Sequence, residues 1–222
     1  RKLLDRRMIY LVLLVVSLIA AFLPQNIPIS ISEQTQKAWS ALEAVPDGSY
    51  ICYISTGSSL KYMGSQAVAL AVNKQVQRKH LKVILVGWDP VGLPWIITSF
   101  GEMNYKSPMN TDPKYGTEIV FLGAMPGAEL TVPSLVEDIR SIFSTDYFGT
   151  PLDNIEMMKG VNTLKNVKFV VAQWFGAQTA TPVHTFFTGK YNIPMITYAD
   201  NQEYASNLTM YKAGVYVGMM HG

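Results

Sequence analysis

The sequence predicts an α/β protein: a doubly wound, mostly parallel sheet of about five or six strands, behind one N-terminal transmembrane helix. Three observations carry that expectation. Short apolar runs of strand length alternate with amphipathic stretches of helical period along most of the chain. Two of these runs, LKVILVGW at 81–88 and VKFVVAQW at 167–174, are nearly continuous Val, Ile, Leu and Phe, as in strands covered on both faces. Ahead of them, Met8 to Leu23 reads MIYLVLLVVSLIAAFL and holds no charge. At about 1.5 Å per residue that run just covers a hydrocarbon core, near the short end of the usual roughly 17–25 residues.

Residues 1–7 form a basic flank in which Arg1, Lys2, Arg6 and Arg7 are offset only by Asp5. Residues 8–24 are the anchor, with Met8, Leu14, Leu18 and Phe22 among its lipid-facing side chains. Beyond it the first charges are Glu33 and Lys37, so the positive-inside rule keeps the N-terminus cytoplasmic and residues 25–222 outside. The rival reading is a secretory signal peptide, with Ala20 and Ala21 small enough for cleavage. The length of the apolar run, followed at once by Phe22 and Pro24, favours the anchor. A helix packed on the surface of a globular core would show a polar face, and this run shows none.

Residues 25–48 read as a Pro-stiffened linker and a short helix over 32–45, capped by Ser32 or Thr35, with Trp39, Leu42 and Val45 at helical spacing. Pro46-Asp47-Gly48 is a turn. The α/β domain is 49–222. Its strands are expected at 49–54, 81–88, 118–122, 167–174, 193–198 and 215–220. Pro194 marks the fifth as an edge. Helices are expected at 60–77, 92–105, 131–143, 181–191 and 203–212. The first of these ends on Lys74, Arg78, Lys79 and His80, where the helix dipole favours cations. Residues 144–164 form a long insertion with one helical turn near 154–159. This alternation is that of a Rossmann-like or flavodoxin-like sheet.

Composition narrows the function classes. Formal net charge is +2, with no basic run beyond the N-terminal flank, which leaves no reason to expect a nucleic-acid partner. Hydrophobic residues make up 49% and charged ones 15%, against about 25% charged in typical domains. A surface this poor in charge points to cover by membrane lipid or by other membrane protein subunits, in a homo- or hetero-oligomer. The lone Cys52 excludes an internal disulfide and a zinc site, and reads as core. The chain begins at Arg1 and stops on VYVGMMHG, which reads as a piece of a longer protein.

In such sheets ligands bind beyond the carboxyl ends of the strands. The candidate ligand-binding residues there are Ser55, Thr56, Gly57, Ser58, Ser59, Trp88, Asp89, Gly123 and Asp200. Hydroxyls and a glycine between a strand and a helix start can cradle an anion, though Ser and Thr also serve as plain helix caps. The stretch Ser55–Ser59 resembles the phosphate loop of flavodoxins, strand–T/S-x-T-G-x-T, over that loop alone. There is no G-x-S-x-G elbow, G-x-G-x-x-G fingerprint or G-K-[ST] loop, so no cofactor is expected. His80, His184 and His221 are isolated, and no metal site is expected. Glu137 and Asp138 would point about 100° apart on a helix and do not converge as acid and base. Asp146, Asp153 and Glu156 lack a calcium ladder. Tyr147, Phe148, Trp174 and Phe175 read as contact surface or core, and Asn207-Leu208-Thr209 matches a glycosylation acceptor. An enzymatic reading would fall to Ser55, Asp89, His184 and Asp200.

The segment from FLGAMPGAEL through EDIRSIFSTDYFGTPLDNIEMMKGV, following a span preceded by LDRR, resembles a family of uncharacterised prokaryotic membrane-anchored proteins over most of residues 5–222. The resemblance implies an anchor, an α/β domain and a C-terminal continuation that re-enters the membrane. It brings no activity and no catalytic residue. The leading expectation is a non-enzymatic, membrane-anchored subunit of a larger assembly, its domain used for protein–protein packing. The alternative is an extracytoplasmic sensor or binding domain for a small ligand at the strand ends.

Overall fold

A computed structural model describes residues 6–22, 31–55, 62–102, 109–173, 177–199 and 203–221. The chain forms two compact units, Arg1–Ile31 and Ser32–Gly222. The first holds helix α1 (Arg6–Phe22), whose apolar side chains from Met8 to Ile19 are exposed at 45–64%. Among the described residues no helix is long and apolar enough to cross a membrane. The proline linker after α1 lies outside the described residues, apart from Ile31.

The second unit is α/β. Its strands are β1 (Tyr50–Ser55), β2 (Lys82–Gly87), β3 (Ile119–Ala124), β4 (Phe169–Gln173), β5 (Met195–Ala199) and β6 (Gly218–His221). All pairs are parallel, in the order β3-β2-β1-β4-β5-β6. That is the Rossmann order rather than the flavodoxin one, with the chain reversing its direction across the sheet between β1 and β4.

Helices α3 (Tyr62–Arg78) and α4 (Leu93–Glu102) lie on one face of the sheet, where α3 reaches as far as β5 and β6. Helices α6 (Ala177–His184) and α7 (Tyr204–Lys212) cover the opposite face of the second half. Two other segments complete the layers. Helix α2 (Glu33–Glu43), capped by Ser32 accepting from the Thr35 amide, fills the α3 face beside β6 through Ala38 and Leu42. The insertion fills the other face beneath β2 and β3. Its Leu152, Ile155, Met157, Met158 and Leu164 are buried against Ile84, Val120 and Leu122. Tyr50 at the start of β1 donates its hydroxyl to the Met157 carbonyl at 2.6 Å.

The insertion also caps an edge of the sheet. The Tyr147 amide donates to the Phe121 carbonyl at 2.8 Å, and the Tyr115 hydroxyl accepts from the Phe121 amide at 3.4 Å. Free edges invite pairing with other chains, and this loop covers the edge at β3. Buried Asp146 holds the loop, accepting from the Tyr115 hydroxyl and from the amides of Phe148 and Thr150. Tyr147 and Phe148 pack edge-on to each other, Tyr147 against Phe121 and Phe148 against Tyr115.

Two expectations are corrected. The helix foreseen over 131–143 stops early: α5 is Val132–Glu137, and Asp138 is extended at φ −150°. The insertion supplies the reason. Leu164 and Thr163 donate to the Val136 carbonyl, and the Ile139 amide turns away to the Asn162 carbonyl. The fifth strand is not an edge, since β5 pairs with both β4 and β6. Pro194 precedes the strand, where its missing N–H interrupts no ladder, and its carbonyl still accepts from the Val170 amide at 2.9 Å.

Glu137 closes the join between α5, the insertion and Lys190-Tyr191, which end the π-helical turn (Thr185–Gly189) that continues α6. It receives Lys165, Lys190 at 2.8 Å, and the Tyr191 hydroxyl. Those bonds, Lys165 foremost, hold its carboxyl down to about 2 from an ordinary 4.5. A depressed carboxylate stabilises the fold fully above its unfolded value and loses that contribution as pH falls through its folded one. The wild-type domain is therefore expected to lose stability between about pH 4.5 and pH 2 more steeply than Glu137→Gln. Urea midpoints measured across that window test it; parallel curves for the two proteins would contradict the clamp.

Candidate functional site

In sheets of this order ligands bind beyond the carboxyl ends of the strands where the chain reverses, here β1 and β4, with β5 alongside. The register pairs Ser55 with Gln173 and Gln173 with Tyr198. Strand alternation brings Tyr53 and Ser55 of β1 to the same face as Gln173 of β4 and Tyr198 of β5. The Ser55 hydroxyl donates to Gln173 Oε1 at 2.6 Å. The Tyr53 and Tyr198 hydroxyls bond to each other, with their rings edge-on at 6.4 Å. Ser55, Tyr53 and Tyr198 are 0–2% exposed and Gln173 is half-buried. A neutral polar column thus runs up the α3 face, inside a layer otherwise made of residues such as Val171, Ile51 and Phe169.

Of the residues expected here, Ser55 takes part in the column. Thr56, Gly57, Ser58, Ser59 and Asp200 lie outside the described residues, as do Trp174 and Phe175. Trp88 is buried at 6% exposure in the core of the opposite face, and its amide donates to the Ser55 carbonyl at 2.8 Å. Asp89 accepts the Gly92 amide at 3.0 Å and caps a 3-10 turn at Pro90–Gly92. Gly123 adopts φ +94° at the end of β3, a left-handed conformation that suits glycine.

His184 opens no helix: it lies inside a continuous helical stretch, where α6 runs on into a π-helical turn at Thr185–Gly189. It lies seven residues past Ala177, about 10 Å along the axis and away from the strand ends. His80 pairs with Glu118 at 3.1 Å beside the start of β2. Asn207 is fully buried, donating to the Glu203 carbonyl and accepting from Tyr216, so folding closes the glycosylation sequon to glycan transfer. Burial pushes the Cys52 thiol up and leaves it unreactive. Among the described residues no three His, Cys, Asp or Glu gather as metal ligands would.

Tyr53, Gln173 and Tyr198 escape notice in the sequence because they sit in the apolar runs YICYIS, FVVAQ and MITYA. Their signal is a polar residue at or near the carboxyl end of each of three runs. It gains meaning once the strand order makes those runs neighbours. No protein-family model matches the chain, and no curated protein does.

Proposed function

We propose that the chain is a membrane-anchored binding module that seats a small ligand over the carboxyl ends of β1 and β4. One observation carries the reading: the polar column ending in Ser55 and Gln173 stands where the sheet reverses. Buried polar groups cost stability unless they are paired, and here Ser55 is paired with Gln173 and Tyr53 with Tyr198, so the column stands in an apolar layer and presents its polar end at the strand ends. The column carries no charge, which suits recognition by hydrogen bonds. Anions and nucleotides head the ligand panel because Ser55–Ser59 is rich in hydroxyls.

Helix α1 is the anchor in this reading, with the basic flank cytoplasmic and residues 25–222 outside. Its length of about 25 Å falls short of a typical hydrocarbon core, so local thinning or a thin bilayer accompanies it. A ligand at 100 times its dissociation constant stabilises the folded domain by about 2.7 kcal/mol. A thermal-shift screen is expected to find such a ligand for the wild type, with the shift lost in Gln173→Ala. A panel that leaves the melting temperature of cooperatively folded protein unmoved overturns the reading.

A second reading, a packing subunit of a larger membrane assembly, is favoured by the β6 side of the domain. There β6 is a sheet edge, and Trp39 and Val217 are each 40% exposed. It predicts a detergent-solubilised mass far above 24.7 kDa by light scattering, and a monodisperse monomer sinks it.

A further inference from the structure

Two cavities adjoin at the amino ends of β1, β4 and β5, at the other end of the sheet from Ser55 and Gln173. The first, of about 190 Å³, is lined by Tyr50, Val161 and Val167 together with Asn162 and Asn166, and is mainly apolar. The second, of about 250 Å³, is lined by Lys165, Lys168, Asn192 and Ile193 among others, and is mainly polar. Asn166 and Val167 line both. The backbones entering the three strands run beside them, with the Lys168 amide donating to the Tyr50 carbonyl at 2.8 Å and the Val170 amide to the Pro194 carbonyl at 2.9 Å. The walls are fixed by their own hydrogen bonds. On one side the Thr163 hydroxyl donates to the Val136 carbonyl at 2.7 Å and accepts from the Lys165 amide at 3.1 Å. On the other the amides of Asn192 and Ile193 donate to the Thr188 and Phe187 carbonyls, each at 3.0 Å. A groove held this way needs little ordering when something binds.

Charge and hydrogen-bonding capacity identify the ligand. Elsewhere at this end Arg78 pairs with Glu43, Lys79 with Asp47, Lys114 with Glu118 and Lys159 with Glu156. Lys168 is exposed and has neither a carboxylate nor a hydrogen-bond partner among the described residues, and the side-chain amides of Asn162, Asn166 and Asn192 have none either. No acidic residue lines either cavity. Lys165 and Lys190 share one carboxylate, that of Glu137. Three lysines beside the second cavity against one carboxylate leave an excess of two positive charges. A carboxylate ligand would offset only one of them. A phosphate monoester carries about −1.5 to −2 near neutral pH, and its three terminal oxygens accept from ammonium and amide donors. The first cavity has room for an organic body, since an apolar cavity of about 150 Å³ holds a benzene ring.

We propose that this amino-end groove binds the phosphate monoester of a small, ring-sized organic molecule, with the phosphate at Lys168, Asn166 and Asn192 and the ring against Tyr50, Val161 and Val167. Asn166 stands where the two halves of the ligand join. The site is separate from the one at the carboxyl ends of β1 and β4 and does not depend on it.

The test is calorimetric titration of the full chain, solubilised in a non-ionic detergent, at constant ionic strength and near neutral pH. The probes are inorganic phosphate, phenyl phosphate and phenyl sulfate, the last a monoanion of similar shape. Phenyl phosphate is expected to bind saturably, and about tenfold or more tighter than either of the others, because only it supplies both the ring and the second charge. Lys168→Gln and Asn166→Asp are expected to weaken it about tenfold or more. Both positions are exposed, so the unliganded melting temperature of each variant is expected to match the wild type. Gln173→Ala is expected to bind phenyl phosphate as the wild type does. Absence of saturable heat with phenyl phosphate overturns the proposal. Equal affinity for inorganic phosphate removes the ring from the groove, and equal affinity for phenyl sulfate removes the charge match; either overturns it. Binding that survives Lys168→Gln and Asn166→Asp but is lost in Gln173→Ala also overturns it, and places the ligand at the carboxyl ends of β1 and β4 instead.

Discussion

Gly218→Ala is expected to destabilise the domain by about 3 kcal/mol or more, at the upper end of what overpacking costs. A Cβ at Gly218 would lie 2.2 Å from the Ala38 amide nitrogen, 2.3 Å from its Cα and 2.7 Å from its Cβ. Two of these three contacts are backbone, so no rotamer change relieves them. Helix α2 would have to lift away from β6. That would uncover Leu42, which is fully buried in the layer shared with Ile51 and Tyr53. The urea midpoint of the variant measures the effect. Ala38→Gly in the same chain removes only the Cβ contact, so it is expected to recover little. Full recovery in the double variant, or a midpoint unchanged in Gly218→Ala, would show that α2 does not lie against β6 as described.

That contact also shows which parts of the fold the sequence discloses. The period-2 and period-3.6 patterns are local, and they place every strand and most helices within a few residues. The apolar run at 215–220 reads as a strand even though only Gly218–His221 pairs. Strand order is not local. Nothing in MITYA says that it lies between β4 and β6, and Pro194 misleads because its position just before the ladder depends on where pairing begins. The break after Glu137 is invisible for a similar reason. LVEDIRSIF keeps helical spacing throughout, and the hydrogen bonds that end the helix come from Asn162, Thr163 and Leu164, a full insertion away. Tertiary bonds there override a helical pattern worth only tenths of a kcal/mol per residue.

The candidate site divides along the same line. Ser55 is legible because a hydroxyl at the end of an apolar run, before a helix, is an unusual composition in one place. Gln173 and the two tyrosines are legible only after β1, β4 and β5 are side by side. Asp89 and Trp88 show the converse. Both sit in the loop after a strand, where ligand residues belong, yet one caps a turn and the other fills the core. Position at a strand end makes a residue a candidate, and the neighbouring strand determines which way its side chain is used.

Met158→Ala is expected to cost the domain about 2–5 kcal/mol, the usual range for removing a fully buried methionine side chain. The insertion that carries it is long and aromatic, and in sequence its aromatics read as contact surface or core. In the fold Met158 is 0% exposed and Met157 2%, packed in the same cluster as Ile84 and Val120. Here the insertion does the work that a helix does elsewhere in the sheet. It covers the face of β2 and β3 that the right-handed crossovers leave bare. A core role and a docking role differ in what the lone protein feels. If the insertion is core, Met158→Ala lowers the urea midpoint of dilute, monomeric protein, and Tyr147→Ala, at a side chain 42% exposed, lowers it far less. If it is a docking surface, dilute protein is indifferent to both substitutions, and only the assembled form loses stability. An unchanged midpoint for Met158→Ala would return the insertion to the surface and strengthen the packing-subunit reading. A drop of the expected size leaves Trp39 and Val217 at the β6 edge to carry any protein contact.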